Sequence, residues 1–302
     1  MFEADPDMVF ASSGGGFFRS TDGGLHWQRS EVGLPIPASI QSFTLGTQSP
    51  VIFASTYNAP YKSTDAGATW HALKNPMMPG ENIIDISLRR GSFADVALAT
   101  SIGIYVSHDA GVTWSGPTPS LQPFTLTRIL YAEDGVIYAG KWPTGSGDFD
   151  SASVIKSTDG GASWVPSLFG VGAFGLAGIQ SLSSSATEPA HVFILDVIGN
   201  VFFSLDGGAT WTSIQFASLP GGCAGQRFLM ADPTRSLGVF LGCGTSLAHT
   251  ADVTPSMPDW TIWNASNGLE NADGDALNIL SATAHPGYPG TPRIWVGTAR
   301  EG

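Results

Sequence analysis

The sequence predicts an all-β protein, a β-propeller of four-stranded blades of about 46 residues, six near complete and a seventh partial. Three observations support this. An octapeptide recurs at steady spacing, the stretch between copies breaks into four short apolar runs, and the composition suits strands and turns. Gly and Pro number 38 and 20 in 302 residues and charged residues reach only 13%, against a usual ~25%. Apolar residues at 42%, with nine Trp and 17 Phe, exclude a disordered chain.

The octapeptide reads STDGGLHW (Ser20 to Trp27), STDAGATW (Ser63 to Trp70), SHDAGVTW (Ser107 to Trp114), STDGGASW (Ser157 to Trp164) and SLDGGATW (Ser204 to Trp211). A decayed sixth copy runs from Thr250 through Asp252 to Trp260. The six aspartates are spaced 43, 44, 50, 47 and 46 residues apart, the period of propeller blades. Within one period, apolar alternation between turn residues gives strands A to D, in the second unit Ile40 to Leu45, Val51 to Ser55, Pro60 to Ser63 and Thr69 to Leu73. The octapeptide is then the C-to-D hairpin. Its Asp is expected to accept backbone N–H groups one and two residues on, as in an Asx turn. The Gly two places after Asp marks a positive φ, and the Trp is expected to bury its ring between adjacent sheets while its N–H finds an acceptor.

These octapeptides resemble the Asp-box, or bacterial neuraminidase repeat, of sialidases, xyloglucanases, sortilin-type receptors and photosystem II assembly propellers. In those families the motif is a structural turn on the face opposite the active site. The resemblance therefore implies a structural role for Asp22, Asp65, Asp109, Asp159 and Asp206.

The blades fall at about 1–36, 37–79, 80–122, 123–175, 176–222 and 223–270, with a partial one at 275–302, in a single propeller domain. Aligned A strands place Ser42, Asp85, Arg128, Ser181, Arg227 and Asn278 in one polar column. One period before Ser42 precedes Met1, so the first blade is expected to lack most of its innermost strand. Leu277 to Ala282 and Arg293 to Thr298 read as strands A and B of the seventh. Either these termini close a ring or the chain is an excerpt of a longer propeller protein; the excerpt is the favoured expectation.

In a propeller the D-to-A and B-to-C connections share one face, where binding residues are sought. The longest B-to-C loop, Gly140 to Ser153, carries Lys141, Trp142, Asp148 and Asp150, and the D-to-A loop Pro166 to Gly178 adds Phe169 and Phe174. Aromatic rings beside carboxylates suit a sugar, with Asp148 and Asp150 as candidate catalytic residues; a glycine-rich surface insertion is the simpler alternative. Arg128 and Arg227, with Asp85, line the channel column, where arginines can hold a carboxylate bidentately, as the resemblance to sialidases implies, or merely be solvated. No FRIP-like arginine motif or Tyr/Glu nucleophile pair is found, and Arg29 is the one other arginine placed on that face. A xyloglucanase mechanism needs two carboxylates, roughly 6.5 to 9.5 Å apart if inverting. Glu81, Glu270 and Asp273 join Asp148 and Asp150 as loop carboxylates for that role.

The six histidines lack metal-ligand spacing, and Asn271, Asp273 and Asp275 alternate as Ca²⁺ ligands do but miss the EF-hand pattern. No metal or other cofactor is expected. Cys223 and Cys243 flank a hairpin with its turn at Asp232 to Arg235. A register centred at 233 would set them opposite one another for a disulfide, pointing to an oxidising compartment. Asn264, Ala265 and Ser266 form a glycosylation sequon. A net charge of −12 opposes nucleic acid, and no run of ~18 apolar residues spans a membrane. The start, MFEADPDMVF, shows no signal peptide. The expectation is a monomeric extracellular or periplasmic propeller that binds a glycan or protein; a glycoside hydrolase, or a fragment of one, is the alternative.

Overall fold

The computed structural model describes residues 5, 7–13, 16–46, 50–118, 125–142, 152–169, 178–214, 226–267, 278–285 and 293–299. The fold is an all-β β-propeller whose sheets are antiparallel meanders, and the chain divides into two compact units, Met1–Leu176 and Ala177–Gly302.

The first unit holds four sheets. The first is three-stranded, with β1 (Val9–Ser13), β2 (Gly16–Ser20) and β3 (Gln28–Arg29), and lacks an inner strand among the described residues. The second has β4 (Ile40–Leu45), β5 (Ile52–Thr56), β6 (Pro60–Ser63) and β7 (His71–Ala72). The third has β8 (Ile83–Leu88), β9 (Val96–Thr100) and β10 (Ile104–Ser107), its outer strand reduced to a bridge between Val106 and Ser115. The fourth has β11 (Thr125–Tyr131), β12 (Ile137–Trp142), β13 (Ala152–Ser157) and β14 (Val165–Phe169).

The second unit has β15 (Ile179–Ser184), β16 (Val192–Asp196), β17 (Val201–Ser204) and β18 (Thr212–Ile214), then β19 (Gln226–Ala231), β20 (Val239–Cys243), β21 (Ser246–Thr250) and β22 (Thr261–Trp263). Its last sheet is the pair β23 (Asn278–His285) and β24 (Arg293–Ala299). The strands expected for the second blade are present to within two residues at each end.

Strands β5, β9, β16 and β20 are buried along their whole length. Strands β5, β9 and β20 are packed on both faces by neighbouring sheets, which is why they open on the continuous apolar runs IFA, VALA and VFLG rather than on alternating ones. The cores accordingly lie between successive blades. Val51 and Phe53 pack with Ile83, Ile86 and Leu98; Ala97 and Val106 pack with Ile129, Ile137 and Ile155; and Phe193 and Val201 pack with Leu229 and Leu241.

Innermost strands are also joined by side-chain hydrogen bonds. Asp85 Oδ1 accepts the Ser42 hydroxyl at 2.6 Å from the second blade, and Oδ2 accepts the Ile129 N–H at 3.0 Å from the fourth. Two residues along, the Leu88 N–H donates to Thr44 Oγ1 at 3.3 Å and the Tyr131 N–H to Ser87 Oγ at 2.9 Å. The second unit repeats the device, with the Ser181 hydroxyl donating to the Leu229 carbonyl at 2.7 Å and the Ala231 N–H to Ser183 Oγ at 2.9 Å. Each clamp satisfies a backbone or hydroxyl group that would otherwise be desolvated without a partner.

Candidate functional site

Because the blades are meanders, the A-to-B and C-to-D turns lie at one end of each and the B-to-C and D-to-A connections at the other. The octapeptides occupy the first end. In the second blade the buried Ser63 hydroxyl donates to Asp65 Oδ1 at 2.8 Å and its oxygen accepts the Gly67 N–H at 2.8 Å, while Asp65 Oδ1 accepts the Thr69 N–H at 2.8 Å. The same bonds recur from Ser20, Ser107, Ser157 and Ser204. The aspartate thus reaches the N–H four residues on, not one and two as an Asx turn would. The reason is that the serine oxygen accepts the aspartate's own N–H, at 3.3 Å for Asp65, and turns the carboxylate along the hairpin. Both residues after Asp have positive φ, 56° at Ala66 and 77° at Gly67, the twist of a tight hairpin.

Hydrogen bonds bring Asp22, Asp109, Asp159 and Asp206 down to a pKa of about 2, the largest contribution coming from the residue four places on. At Asp65 desolvation opposes this, yet the bonds from Thr69 and Ser63 still bring it to about 2. These carboxylates are held by their own turns. The sixth copy differs: Asp252 Oδ1 accepts from Thr254, two residues on, at 2.8 Å.

The tryptophans follow the expected packing in part. Trp70 is 2% exposed, meets Phe17 edge-on at 5.2 Å and donates to the Ser30 carbonyl at 2.8 Å. Trp164 is also buried. Trp27 is 44% exposed and its N–H turns back to the Gly24 carbonyl at 2.9 Å.

At the opposite end, Tyr57 lies in the turn between β5 and β6, and Met78 in the connection between β7 and β8, both exposed. A hydrogen-bonded frame fixes them. The Ile83 N–H donates to the Tyr57 carbonyl at 2.9 Å and Asn75 Nδ2 to the Asn58 carbonyl at 2.9 Å. Beneath them the buried Glu81 carboxylate accepts the Met78 N–H at 3.0 Å, the Tyr105 hydroxyl at 2.9 Å and the Thr100 hydroxyl. Desolvation, reinforced by this bond to Glu81, pushes the Tyr105 phenol far above its ordinary range. Of the loop carboxylates considered from sequence, Glu81 is therefore a brace under the surface; Asp148, Asp150, Glu270, Asp273 and the Asn271 to Asp275 string lie outside the described residues.

Strand β12 continues through Trp142, so Gly140, Lys141 and Trp142, expected in the loop, are strand residues. Lys141 is fully buried in that strand opposite Leu126, and Trp142 is 45% exposed at its end. Strand β14 likewise takes in Pro166 to Phe169, with Phe169 opposite Ala152; Phe174 lies outside the described residues. Arg128 is exposed on β11 and donates to its neighbour's carbonyl, Thr127, at 2.7 Å. Arg227 lies in β19, in the other unit. Asp85 is pushed above its ordinary value by desolvation, against the opposing pull of Ser42, the Ile129 N–H and the Arg128 charge. Arg29 is engaged by Glu31 at 2.9 Å and lies over the Phe18 ring.

The β19–β20 hairpin corrects the cysteine register. Ala231 faces Val239 and Gln226 faces Cys243, so the hairpin centres on 235 rather than 233. The physical reason is a longer turn, closed by the Asp232 N–H on the Gly238 carbonyl at 2.8 Å, where Gly238 is packed too tightly against Asp232 for a side chain. Cys243 is buried and disulfide-bonded; Cys223 lies outside the described residues. Among the described residues no cluster of His, Cys, Asp and Glu is arranged for a metal ion, and no helix is long and apolar enough to cross a membrane. Tyr57 and Met78 escaped the sequence reading, although an aromatic in an otherwise polar B-to-C turn was the available signal.

No family model and no curated protein matches the chain. Solved structures do. The chain is similar to the GH74 enzyme of Niastella koreensis, at 20% identity and a TM-score of 0.59 over 84% of this chain and 44% of that one. It is also similar to YCF48 bound to D1 peptide, at 15% identity and a TM-score of 0.62 over 93% of this chain and 84% of that one. A third is the extracellular domain of a B. thetaiotaomicron protein described as a one component system, at 13% identity and a TM-score of 0.64 over 96% and 36%. The chain spans less than half the length of the GH74 enzyme. At these identities the similarity defines the class: a β-propeller built from repeats.

Proposed function

We propose that this chain is an Asp-box, or bacterial neuraminidase repeat, propeller that binds a glycan or protein on its B-to-C and D-to-A end, as a monomer in an extracellular or periplasmic setting. The single observation behind this is the shelf of exposed Tyr57 and Met78 held over a buried Glu81 brace. A buried carboxylate with three donors is costly to assemble, and here it fixes surface groups that no core requires. Trp142 is a second exposed aromatic at that end, on the fourth blade, and Phe169, Phe174, Arg128 and Asp85 remain in the proposed binding set of the first unit, with the buried Lys141 supporting Trp142 from within the strand; Arg227 is proposed as a binding residue of the second unit. We assign the Cys243 disulfide to Cys223, which supports the oxidising setting. A similar fold holds D1 peptide in the YCF48 structure.

The second reading, a glycoside hydrolase or a piece of one with Asp148 and Asp150 as its carboxylates, is favoured by the GH74 similarity. A glycan array paired with turnover assays on aryl glycosides separates the two. Binding without turnover, weakened about tenfold or more by Tyr57→Ala or Trp142→Ala, supports the binding role. Turnover that disappears in Asp148→Asn or Asp150→Asn overturns it.

A further inference from the structure

In each of the first six sheets the B strand of the repeat carries a C strand on its outer edge. Strand β24, the B strand of the last sheet, is paired with β23 alone among the described residues. We propose that this open edge receives an octapeptide hairpin from a partner chain, which adds strands C and D to the sheet.

The register of β24 is already that of a B strand. Inner strands bulge by one residue, between Ile40 and Ser42 in the second sheet and between Ile279 and Ser281 in the last. Counted from the bulge, Ile294 stands where Ile52 does. Ile52, Val96, Ile137, Val192 and Val239 hold this position in the second to sixth sheets, and each faces the first residue of its octapeptide, Ser or, in the sixth copy, Thr. All five are 0% exposed. Ile294 packs against Phe240 and Leu247 of the sixth sheet, yet it is only partly buried.

The backbone of the edge is set to pair. In complete sheets the Thr56, Thr100 and Asp196 N–H groups donate toward strand C, to the Ala59, Gly103 and Asn200 carbonyls at 3.0, 2.9 and 3.0 Å. Thr298 stands where Thr56 does, so the alternation of a strand turns the N–H groups of Ile294, Val296 and Thr298 to the open edge. A row of this kind is a template for strand addition, in which main-chain bonds give the affinity.

The repeat also says what fits. The octapeptide hairpin is held by bonds between residues within four places of one another, as from Ser63 to Asp65 and Gly67, so much of its form is set before it docks, which lowers the ordering cost of binding. Its Trp has a seat as well. Trp70 lies against Phe17 and donates to the Ser30 carbonyl. Counted from the octapeptide, Leu247 takes the place of Phe17 and the Trp263 carbonyl that of Ser30, and Leu247, Trp263 and Ile294 share one apolar cluster.

The test adds a peptide of residues Pro60–Leu73, which holds a strand C, an octapeptide and a strand D of this repeat, to the whole protein and follows backbone amides by NMR and hydrogen exchange. In the protein alone the Ile294, Val296 and Thr298 amides should exchange freely. With the peptide they should shift saturably and gain at least tenfold protection. A shuffled peptide of the same composition should bind at least tenfold more weakly, as should the peptide carrying Trp70→Ala. In the protein, Val296→Pro removes one N–H from an edge strand, where proline is tolerated, and should abolish binding, the remaining amide spectrum checking the fold. If that variant unfolds, the two altered peptides decide. No saturable shift, equal binding of the shuffled peptide, or edge amides already protected in the dilute protein would overturn the proposal. Protection that grows with protein concentration alone, with dimers in sedimentation, would assign the edge to a second copy and overturn it too.

Discussion

Asp65 and Asp85 each accept three hydrogen bonds, yet their carboxyls are driven in opposite directions. Asp65, at the tip of an outer hairpin, takes its bonds from residues within four places in sequence and is held at about 2. Asp85, on an inner strand, takes two of its three from the blades on either side, 43 and 44 residues away, and desolvation pushes it up. The first stabilises one hairpin and the second joins three blades. Local bonds repeat with the sequence, whereas bonds between blades depend on what each neighbour offers, so Ser42, Asp85 and Arg128 share a column without sharing a residue type.

Substitutions sharpen this contrast, beginning with the packing that accompanies the hairpin. Trp70→Ala removes a ring buried between two blades and should cost ~3–5 kcal/mol, while Trp27→Ala at the exposed first copy should cost under ~1 kcal/mol. Equal losses in urea unfolding would show that the two copies pack alike. Asp85→Ala leaves the Ile129 N–H and the Ser42 hydroxyl without their acceptor and should cost roughly 2–4 kcal/mol. Ser63→Ala removes the acceptor of the Gly67 N–H within one hairpin and should cost about 1–3 kcal/mol. A larger effect at Ser63 than at Asp85 would reverse the order of the two regions.

Acid separates them by sign. Asp65 binds its proton less readily in the folded than in the unfolded chain, so its contribution is complete above about 4 and is lost as pH falls through about 2. The other four octapeptide aspartates act alike. Asp85 binds its proton more readily when folded, so its contribution is fullest below the unfolded value and fades as pH rises through its raised folded value. Removing Asp65 should therefore flatten the acid limb of a stability–pH profile, and removing Asp85 should steepen it.

The fold was legible because its signals are local: identical turns, apolar runs and a constant period gave every strand of the second blade to within two residues at each end. What stayed hidden depends on partners distant in sequence. Asp85 was placed in its column, but its bonds to Ser42 and Ile129 become visible only once neighbouring strands are set side by side. The cysteine register was two residues off in its centre because turn length depends on Gly238 fitting against Asp232. Glu81 read as a loop carboxylate for catalysis because nothing nearby in sequence reveals Thr100 and Tyr105 closing over it.

Titration of the aspartate side-chain carboxyl carbons by NMR tests the division between hairpin and inter-blade carboxylates most directly. Asp65 should titrate at about 2, with Asp85 above the ordinary aspartate value of 3.8. An Asp85 carboxyl titrating at or below 3.8, alongside the hairpin aspartates, would contradict the account.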